Sequence, residues 1–149
     1  FMIPAVVLAT TLLISPGLQS APLDERVHVL SQDDRWGAYL SAPDQTAPNG
    51  RTAWSWSVWL TLDSSLLIDA FLNEYDCDRS QFRRLRQERF REGDLFDTRD
   101  SEAGVRSPHW LEMEGLVMEE VCRDTYLTLS QAENFPAAAD ELTSGRTSS

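Results

Sequence analysis

Five arginines are the residues of this chain whose types and spacing most clearly suggest a chemical role. They lie within or beside one stretch rich in aromatic and aliphatic residues, and they are Arg79, Arg83, Arg84, Arg86 and Arg89. Guanidinium groups bind carboxylates and sulfates through paired hydrogen bonds, so a stripe of them could hold an acidic glycan or an acidic protein surface. The alternative is structural: arginines that face acids such as Glu88 and Glu92 across neighbouring strands form ion pairs, each worth less than about 1 kcal/mol.

The sequence contains no recognisable catalytic pattern. His28 and His109 are the only histidines, and neither lies in an HExxH zinc-protease pattern or beside a Gly-x-Ser-x-Gly nucleophile turn. Adjacent carboxylates such as Asp33-Asp34 and Glu119-Glu120 are typical of a solvated acidic face, whereas a glycosidase needs two acids across a cleft. We therefore predict a protein that is not an enzyme and carries no cofactor.

Metal ions and nucleic acids are not expected ligands. Two cysteines are too few for a four-ligand zinc site. The run of Asp94, Asp97, Asp100 and Glu102 lacks the glycine and the final glutamate of a calcium loop. The chain has 24 acidic and 13 basic residues and a formal net charge of −11, which nucleic-acid phosphates would repel.

The first residues have the layout of a secretory leader. An uncharged apolar run over 2–14 is followed by a Pro-Gly pair and then by the small residues Ser20 and Ala21, the order of an apolar core and a cleavage region. A membrane anchor and an internal core strand are the alternatives. We predict a signal peptide over 1–21, a mature protein that begins near Pro22 without a transmembrane span, and export to a compartment where disulfides persist.

Alternating apolar residues predict an antiparallel sheet. Short strands are expected around Val27 and Val29 and over 36–40, with an acidic turn between them. Residues 68–90 hold two aromatic and aliphatic runs on either side of the polar turn at 76–80, which predicts a β-hairpin. Four of the five arginines then lie on the second strand of this hairpin.

The clearest strand is RTAWSWSVWLTL, residues 51–62. Successive side chains of a strand point to opposite faces, so Trp54 and Trp56 share one face and Trp59 lies on the other. We expect a central strand of a sheet covered on one face, with Trp56 buried beneath a helix. The alternative is that the tryptophans form a platform for carbohydrate.

One helix and three irregular segments complete the predicted chain. Residues 110–122, WLEMEGLVMEEVC, repeat apolar residues at helical spacing and predict an amphipathic helix. Turn-forming and polar residues predict loops over 41–50 and 91–108. The Ala-, Glu-, Ser- and Thr-rich residues 130–149 predict a flexible tail.

The two cysteines bear on the compartment and on the fold. Cys77 follows the first strand of the hairpin, and Cys122 ends the predicted helix. A disulfide would tie the helix across the sheet. Two buried free thiols are the competing interpretation, although an exported protein seldom keeps them.

Several of these features together resemble the surface-adhesin protein E family of Gram-negative bacteria. They are an exported leader, the strand over 54–59, Glu-Tyr-Asp-Cys at 74–77 followed at once by the basic strand over 82–90, Trp110 ahead of a helix, and Val121-Cys122 at its end. The resemblance covers about residues 25–123. It implies an α+β fold: a small antiparallel sheet of about five to six strands with one C-terminal helix packed across it and one disulfide, Cys77–Cys122.

The resemblance also implies a function and a location. It predicts an exported, non-enzymatic adhesion or binding protein at the surface or in the periplasm of a Gram-negative bacterium, formed by residues 22–129. The partner that the resemblance implies is a host extracellular-matrix protein, and the five arginines by their charge predict an acidic partner such as an acidic glycan. A homodimer is also possible. The alternative is a soluble periplasmic domain that binds a small molecule or an envelope protein in a tryptophan-lined groove.

Overall fold

The computed structural model describes residues 21–22, 24–63, 65–100, 104–109 and 112–140. The predicted leader therefore lies outside the described residues, apart from Ala21, as does the end of the predicted tail beyond residue 140. Within the described ranges, no helix is long and apolar enough to span a bilayer.

The chain folds around one antiparallel sheet of eight strands. They are β1 (Val27–Gln32), β2 (Trp36–Ser41), β3 (Asp44–Ala47), β4 (Gly50–Leu60), β5 (Leu66–Asp76), β6 (Gln81–Arg91), β7 (Asp94–Asp100) and β8 (Gln131–Ala132). Their order is β7-β6-β5-β4-β2-β1-β8, and β3 pairs with the start of β4. The predicted strands at Val27 and over 36–40 and 51–62, and the predicted hairpin, are confirmed.

The predicted fold class is wrong. The fold is mostly β and has eight strands rather than a small α+β sheet of five to six. Strands β3, β7 and β8 fall in segments that we expected to be loop or tail. Their residues are mostly exposed and polar, so hydrophobic alternation cannot reveal them. Backbone hydrogen bonds to the neighbouring strand form them instead.

One face of the sheet carries the predicted helix, α1 (Met113–Cys122). Its Val117 and Val121 are fully buried against Tyr75 of β5 and Phe82 of β6. Cys77 and Cys122 form a disulfide, with their Cα atoms 5.6 Å apart. The bond joins the end of β5 to the last residue of α1, and both the helix and the disulfide are confirmed.

The opposite face is covered by the end of the described chain. Residues 135–140 are helical, and Asn134 caps this segment by accepting a hydrogen bond at Oδ1 from the Ala137 N–H, at 2.9 Å. Phe135 stacks on Trp56, with ring centroids 5.2 Å apart and an interplanar angle of 19°. Trp56 is fully buried as predicted, but beneath this segment and not beneath α1.

Residues 130–140 are therefore not the flexible tail that their composition suggested. β8 pairs with β1, while Phe135, Ala138 and Ala139 are buried in the core that contains Trp56. The alanines made the segment look weakly hydrophobic in sequence. Their small side chains nevertheless let the helical residues pack closely on large rings. The sheet is covered on both faces.

Candidate functional site

The five predicted arginines do not form one stripe. Arg79 lies in the turn that precedes β6 (Gln81–Arg91). The register of β6 shifts between Arg84 and Arg86, so a bulge interrupts the alternation of its side chains. Arg84 consequently contacts Glu114 of α1, while Arg86 contacts Glu88 beside the opposite core. The guanidinium groups point to both faces of the sheet.

Two of the arginines form cross-strand ion pairs with β5. Arg83 Nη2 donates to Glu74 Oε1 and Arg89 Nε donates to Asp69 Oδ1, both at 2.9 Å. The side chains of Arg83 and Arg89 are 50% and 41% exposed, so solvent screens both pairs and each contributes less than about 1 kcal/mol. The structural interpretation of these two arginines is supported.

Arg84 belongs to a buried polar network beneath α1. Its Nη2 donates to Glu114 Oε2 at 3.0 Å, its Nε donates to Asn73 Oδ1 at 3.2 Å, and its guanidinium lies 4.2 Å from the centre of the Phe71 ring. Asn73 donates in turn to the Tyr75 hydroxyl at 3.0 Å, and complete burial raises the pKa of Tyr75 well above its ordinary value. This network fixes α1 to β5 and β6.

Arg86 holds two carboxylates. Its Nε donates to Glu88 Oε2 at 3.0 Å and its Nη1 donates to Asp100 Oδ1 at 2.9 Å. Burial opposes the charge on Arg86, but the hydrogen bonds and attraction from Glu88 and Asp100 outweigh it and raise its pKa. Glu88 is only 1% exposed, and its Oε1 accepts a hydrogen bond from the backbone N–H of Ala21 at 3.1 Å.

A cleft of about 570 Å³ lies at the turn end of the β5–β6 hairpin. Its charged lining consists of three carboxylates, on Glu74, Asp76 and Asp78, and two guanidinium groups, on Arg79 and Arg83. The excess of acids makes it a poor match for an acidic glycan. The His, Cys, Asp and Glu side chains of the described ranges form no group of three that could hold a metal ion.

An aromatic surface lies at the other end of the face that carries α1. Trp36 of β2 and Trp59 of β4 are paired directly across the strands, and their ring centroids are 5.8 Å apart with an interplanar angle of 51°. The Trp36 Nε1–H donates to Ser57 Oγ at 3.0 Å, which fixes the orientation of that indole. Half of Trp59 remains exposed.

The same face continues across β5, β6 and β7. Residues opposite one another on β4 and β5 share a face, so Phe71 and Asp69 lie on the side of Trp59. Asp69 is bonded to Arg89, whose guanidinium lies 5.3 Å from the centre of the Phe96 ring. Phe96 is the extra residue at the bulge between β6 and β7, and it is 53% exposed.

These residues define what we call the open aromatic face. Its members are Trp36, Ser57, Trp59, Asp69, Arg89 and Phe96. From β2 to β7 it crosses four strand spacings, or about 19 Å. Along β4, Trp59 lies six residues, or about 20 Å, from Ala53, which packs with α1. Among the described residues it is the part of the sheet where two large aromatic side chains are half exposed.

Comparison with known proteins gives no family for this chain. No family model, curated protein or solved structure matches it. The resemblance to the surface-adhesin E family therefore stays a prediction.

Sequence reasoning missed three features of these sites. Phe96 lies in a segment predicted to be a loop, because the polar residues of β7 hide a strand. Trp36 was recognised as a strand residue, but its pairing with Trp59 depends on β2 lying next to β4, which the order of the strands along the chain does not give. Glu88 is predicted to pair with an arginine across strands, whereas it pairs with Arg86 two residues away on the same strand, because residues two apart on a strand share a face.

Proposed function

We propose that this chain is an exported, non-enzymatic binding protein that holds a glycan on the open aromatic face. The observation that carries the proposal is the half-exposed Trp59, packed against Trp36 on the end of the sheet that no described helix covers. Exposed aromatic clusters of this kind mark interaction sites. Aromatic rings that stay in water do not stabilise the monomer, so their exposure is better explained by a binding partner.

The chemistry of the open aromatic face suits a sugar. Indole and phenyl rings offer flat apolar surfaces for the C–H faces of pyranose rings, and polar groups between them can bond hydroxyls. The opposite charges of Asp69 and Arg89 cancel in their ion pair. Both side chains still have donor or acceptor atoms that can bond sugar hydroxyls. An uncharged glycan therefore fits this face better than an acidic one. The bond between Trp36 and Ser57 holds part of the surface rigid before binding, which lowers the entropic cost.

Two general features of the chain support the proposal of export. The chain contains a disulfide, and no described helix can span a bilayer. Both observations are compatible with an exported protein. A surface location, adhesion to matrix proteins, a periplasmic location and a homodimer stay predictions. Labelling of intact cells, compared with release by osmotic shock, separates the surface from the periplasm.

A panel of glycans and matrix proteins tests the binding proposal. We expect glycan binding by the wild-type protein and a loss of affinity of about tenfold or more in Trp59→Ala, because a central aromatic contact is commonly worth 2 kcal/mol or more. Phe96→Ala should weaken binding to longer glycans. Leu127→Ala is the matched control, since Leu127 is 62% exposed and lies outside the face.

The same panel separates the glycan proposal from the arginine hypothesis. Arg79→Ser combined with Arg83→Ser removes the two guanidinium groups of the cleft. If the ligand is acidic and held there, this double variant loses affinity and Trp59→Ala does not. Equal binding by Trp59→Ala, Leu127→Ala and the wild type would refute the open aromatic face as the binding site.

A further inference from the structure

The two half-exposed rings of the open aromatic face lie at opposite ends of a line across the sheet. Trp59 belongs to β4 and Phe96 to β7, and they are 50% and 53% exposed. Because β5 and β6 lie between these strands, three strand spacings, or about 14 Å, separate the two rings across the sheet. A ligand that covers both rings must be at least that long.

Polar side chains lie between the two aromatic ends. Ser57, Asp69, Arg89 and Asp97 are paired directly across β4, β5, β6 and β7. The ion pair in the middle joins Arg89 Nε to Asp69 Oδ1 at 2.9 Å, and these side chains are 41% and 28% exposed. The second carboxylate oxygen and the terminal guanidinium nitrogens can therefore bond hydroxyl groups.

Both end rings are held by neighbouring side chains before any ligand binds. Trp36 packs on Trp59 with ring centroids 5.8 Å apart, and the Arg89 guanidinium lies over the Phe96 ring, 5.3 Å from its centre. Both rings still keep about half of their surface in solvent. A ligand that stacks there loses little entropy in ordering them.

The spacing of the strands matches the repeat of an extended glycan. When both linkage bonds of a pyranose are equatorial, each sugar extends the chain by about the distance between neighbouring strands. Successive sugars of such a chain then fall on successive strands. An axial linkage coils the chain, which cannot follow a straight line from β4 to β7.

We propose that the open aromatic face binds a single extended chain of neutral, equatorially linked sugars, with one sugar on each of β4, β5, β6 and β7. This inference rests on the glycan binding proposed above. The sugar on β4 stacks on Trp59 and the sugar on β7 stacks on Phe96. Asp69 and Arg89 bond hydroxyls of the two sugars between them.

The twist of the sheet favours a single chain over the surface of a crystalline polysaccharide. Neighbouring strands rotate by about 20–25°, so the face at β7 is turned by about 60–75° relative to the face at β4. A free chain follows this turn by small changes in its glycosidic torsions. The flat surface of a crystal would contact only one aromatic end.

Oligosaccharides of increasing length test the size and shape of the ligand. Cello-, β-linked manno- and N-acetylated chito-oligosaccharides are neutral and equatorially linked, whereas malto-oligosaccharides contain an axial bond. Calorimetric titration would cover each series from monosaccharide to hexasaccharide. For at least one equatorial series we expect affinity to rise about five- to tenfold from trisaccharide to tetrasaccharide, as a second ring is reached, and then to level off. The malto series should show no such step.

Phe96→Ala and Leu95→Ala are a matched pair of variants. Leu95 is 51% exposed, but it pairs with Phe90, which packs on the core that contains Trp56, so it lies on the opposite face. Phe96→Ala should abolish the step from trisaccharide to tetrasaccharide and leave the affinity for the disaccharide unchanged, which also shows that the variant is folded. Leu95→Ala should keep the step.

The outcomes distinguish this inference from the proposed function. A wild-type protein without the step in any equatorial series, an equal step in the malto series, or a step that persists in Phe96→Ala would overturn the inference. The proposed function would still stand if the wild type bound another neutral glycan and Trp59→Ala did not. Failure to bind any glycan of the panel would overturn the proposed function, and the inference with it.

Discussion

At the scale of single residues, position on a strand decides which side chain is buried. Trp56 and Trp59 both lie on β4 and point to opposite faces of the sheet. Trp56 is fully buried, whereas Trp59 is 50% exposed. The period of two predicts that the two tryptophans face opposite ways, and the prediction that Trp56 is the buried one is confirmed.

The two tryptophans should differ strongly in what they contribute to stability. We expect Trp56→Ala to lower the free energy of unfolding by about 3–5 kcal/mol, because it removes a stacked ring and leaves a cavity. Trp59→Ala should cost about 1 kcal/mol. Urea unfolding of both variants measures the difference, and equal losses would mean that Trp59 is also buried.

Stability should depend on pH through His28. This side chain is 5% exposed and packs edge-to-face on Tyr126, with ring centroids 5.0 Å apart. Burial lowers its pKa below the ordinary value of 6.5, against a smaller opposing effect of the backbone at Tyr126. Below pH 6.5 the unfolded chain then binds a proton more readily than the folded one, so stability falls as the pH falls.

The His28→Phe variant tests this dependence. It keeps a ring and removes the titrating group, so its unfolding free energy should fall less than that of the wild type between pH 7 and pH 5.5. Thermal unfolding across this range provides the measurement. Parallel pH profiles for the two proteins would show that His28 does not contribute.

At the scale of elements, the disulfide and the polar network fix α1 to the sheet. The Cys77–Cys122 bond holds the last residue of α1, and the ion pair of Glu114 with Arg84 holds its first turn. The helix has no side-chain cap at Glu112. Tertiary contacts therefore compensate for weak local stabilisation of the helix.

Removing the disulfide should destabilise the protein substantially. The bond closes a loop with a sequence separation of 45, for which chain entropy predicts a loss of about 4 kcal/mol in Cys77→Ser/Cys122→Ser. Urea unfolding of the oxidised wild type and the double variant measures this loss. Alkylation of the folded, non-reduced protein should find no free thiol, and two labelled thiols would contradict the bond.

At the scale of the whole molecule, the sheet lies between two unlike covers. α1 packs on Tyr75 and Phe82, while Ala21 and residues 135–140 pack on the face that carries Trp56. The second cover comes from the two ends of the described chain. The fold is therefore complete only when both ends are in place, unlike the predicted domain over 22–129.

Truncation after Ser130 tests the need for the second cover. The truncated chain would expose Trp54 and Trp56, so we expect loss of cooperative unfolding and binding of a hydrophobic dye. Phe135→Asp in the full-length chain should give the same result, because it places a charge against Trp56. Leu127→Asp, at an exposed site, is the control. A truncated protein that unfolds cooperatively with wild-type stability would contradict this account.

Local sequence patterns predict the apolar strands, the β5–β6 hairpin and α1. Each of these depends on a local pattern: alternation in β4, two apolar runs on either side of a turn, and helical spacing in α1. Such patterns can be read from the sequence because all the residues that form the pattern lie within one strand, hairpin or helix. A count of two cysteines leaves a disulfide and two free thiols as alternatives, and the structure shows the disulfide.

Three features depend on long-range contacts: which strands complete the sheet, what covers Trp56 and which residues meet on the open aromatic face. β7 and β8 exist because a neighbouring strand satisfies their backbone groups, and their side chains carry no apolar alternation. The pairing of Trp36 with Trp59 and the bond from Ala21 to Glu88 join residues 23 and 67 positions apart. Contacts at such separations depend on the strand order and on the bulge in β6, neither of which is set by local sequence.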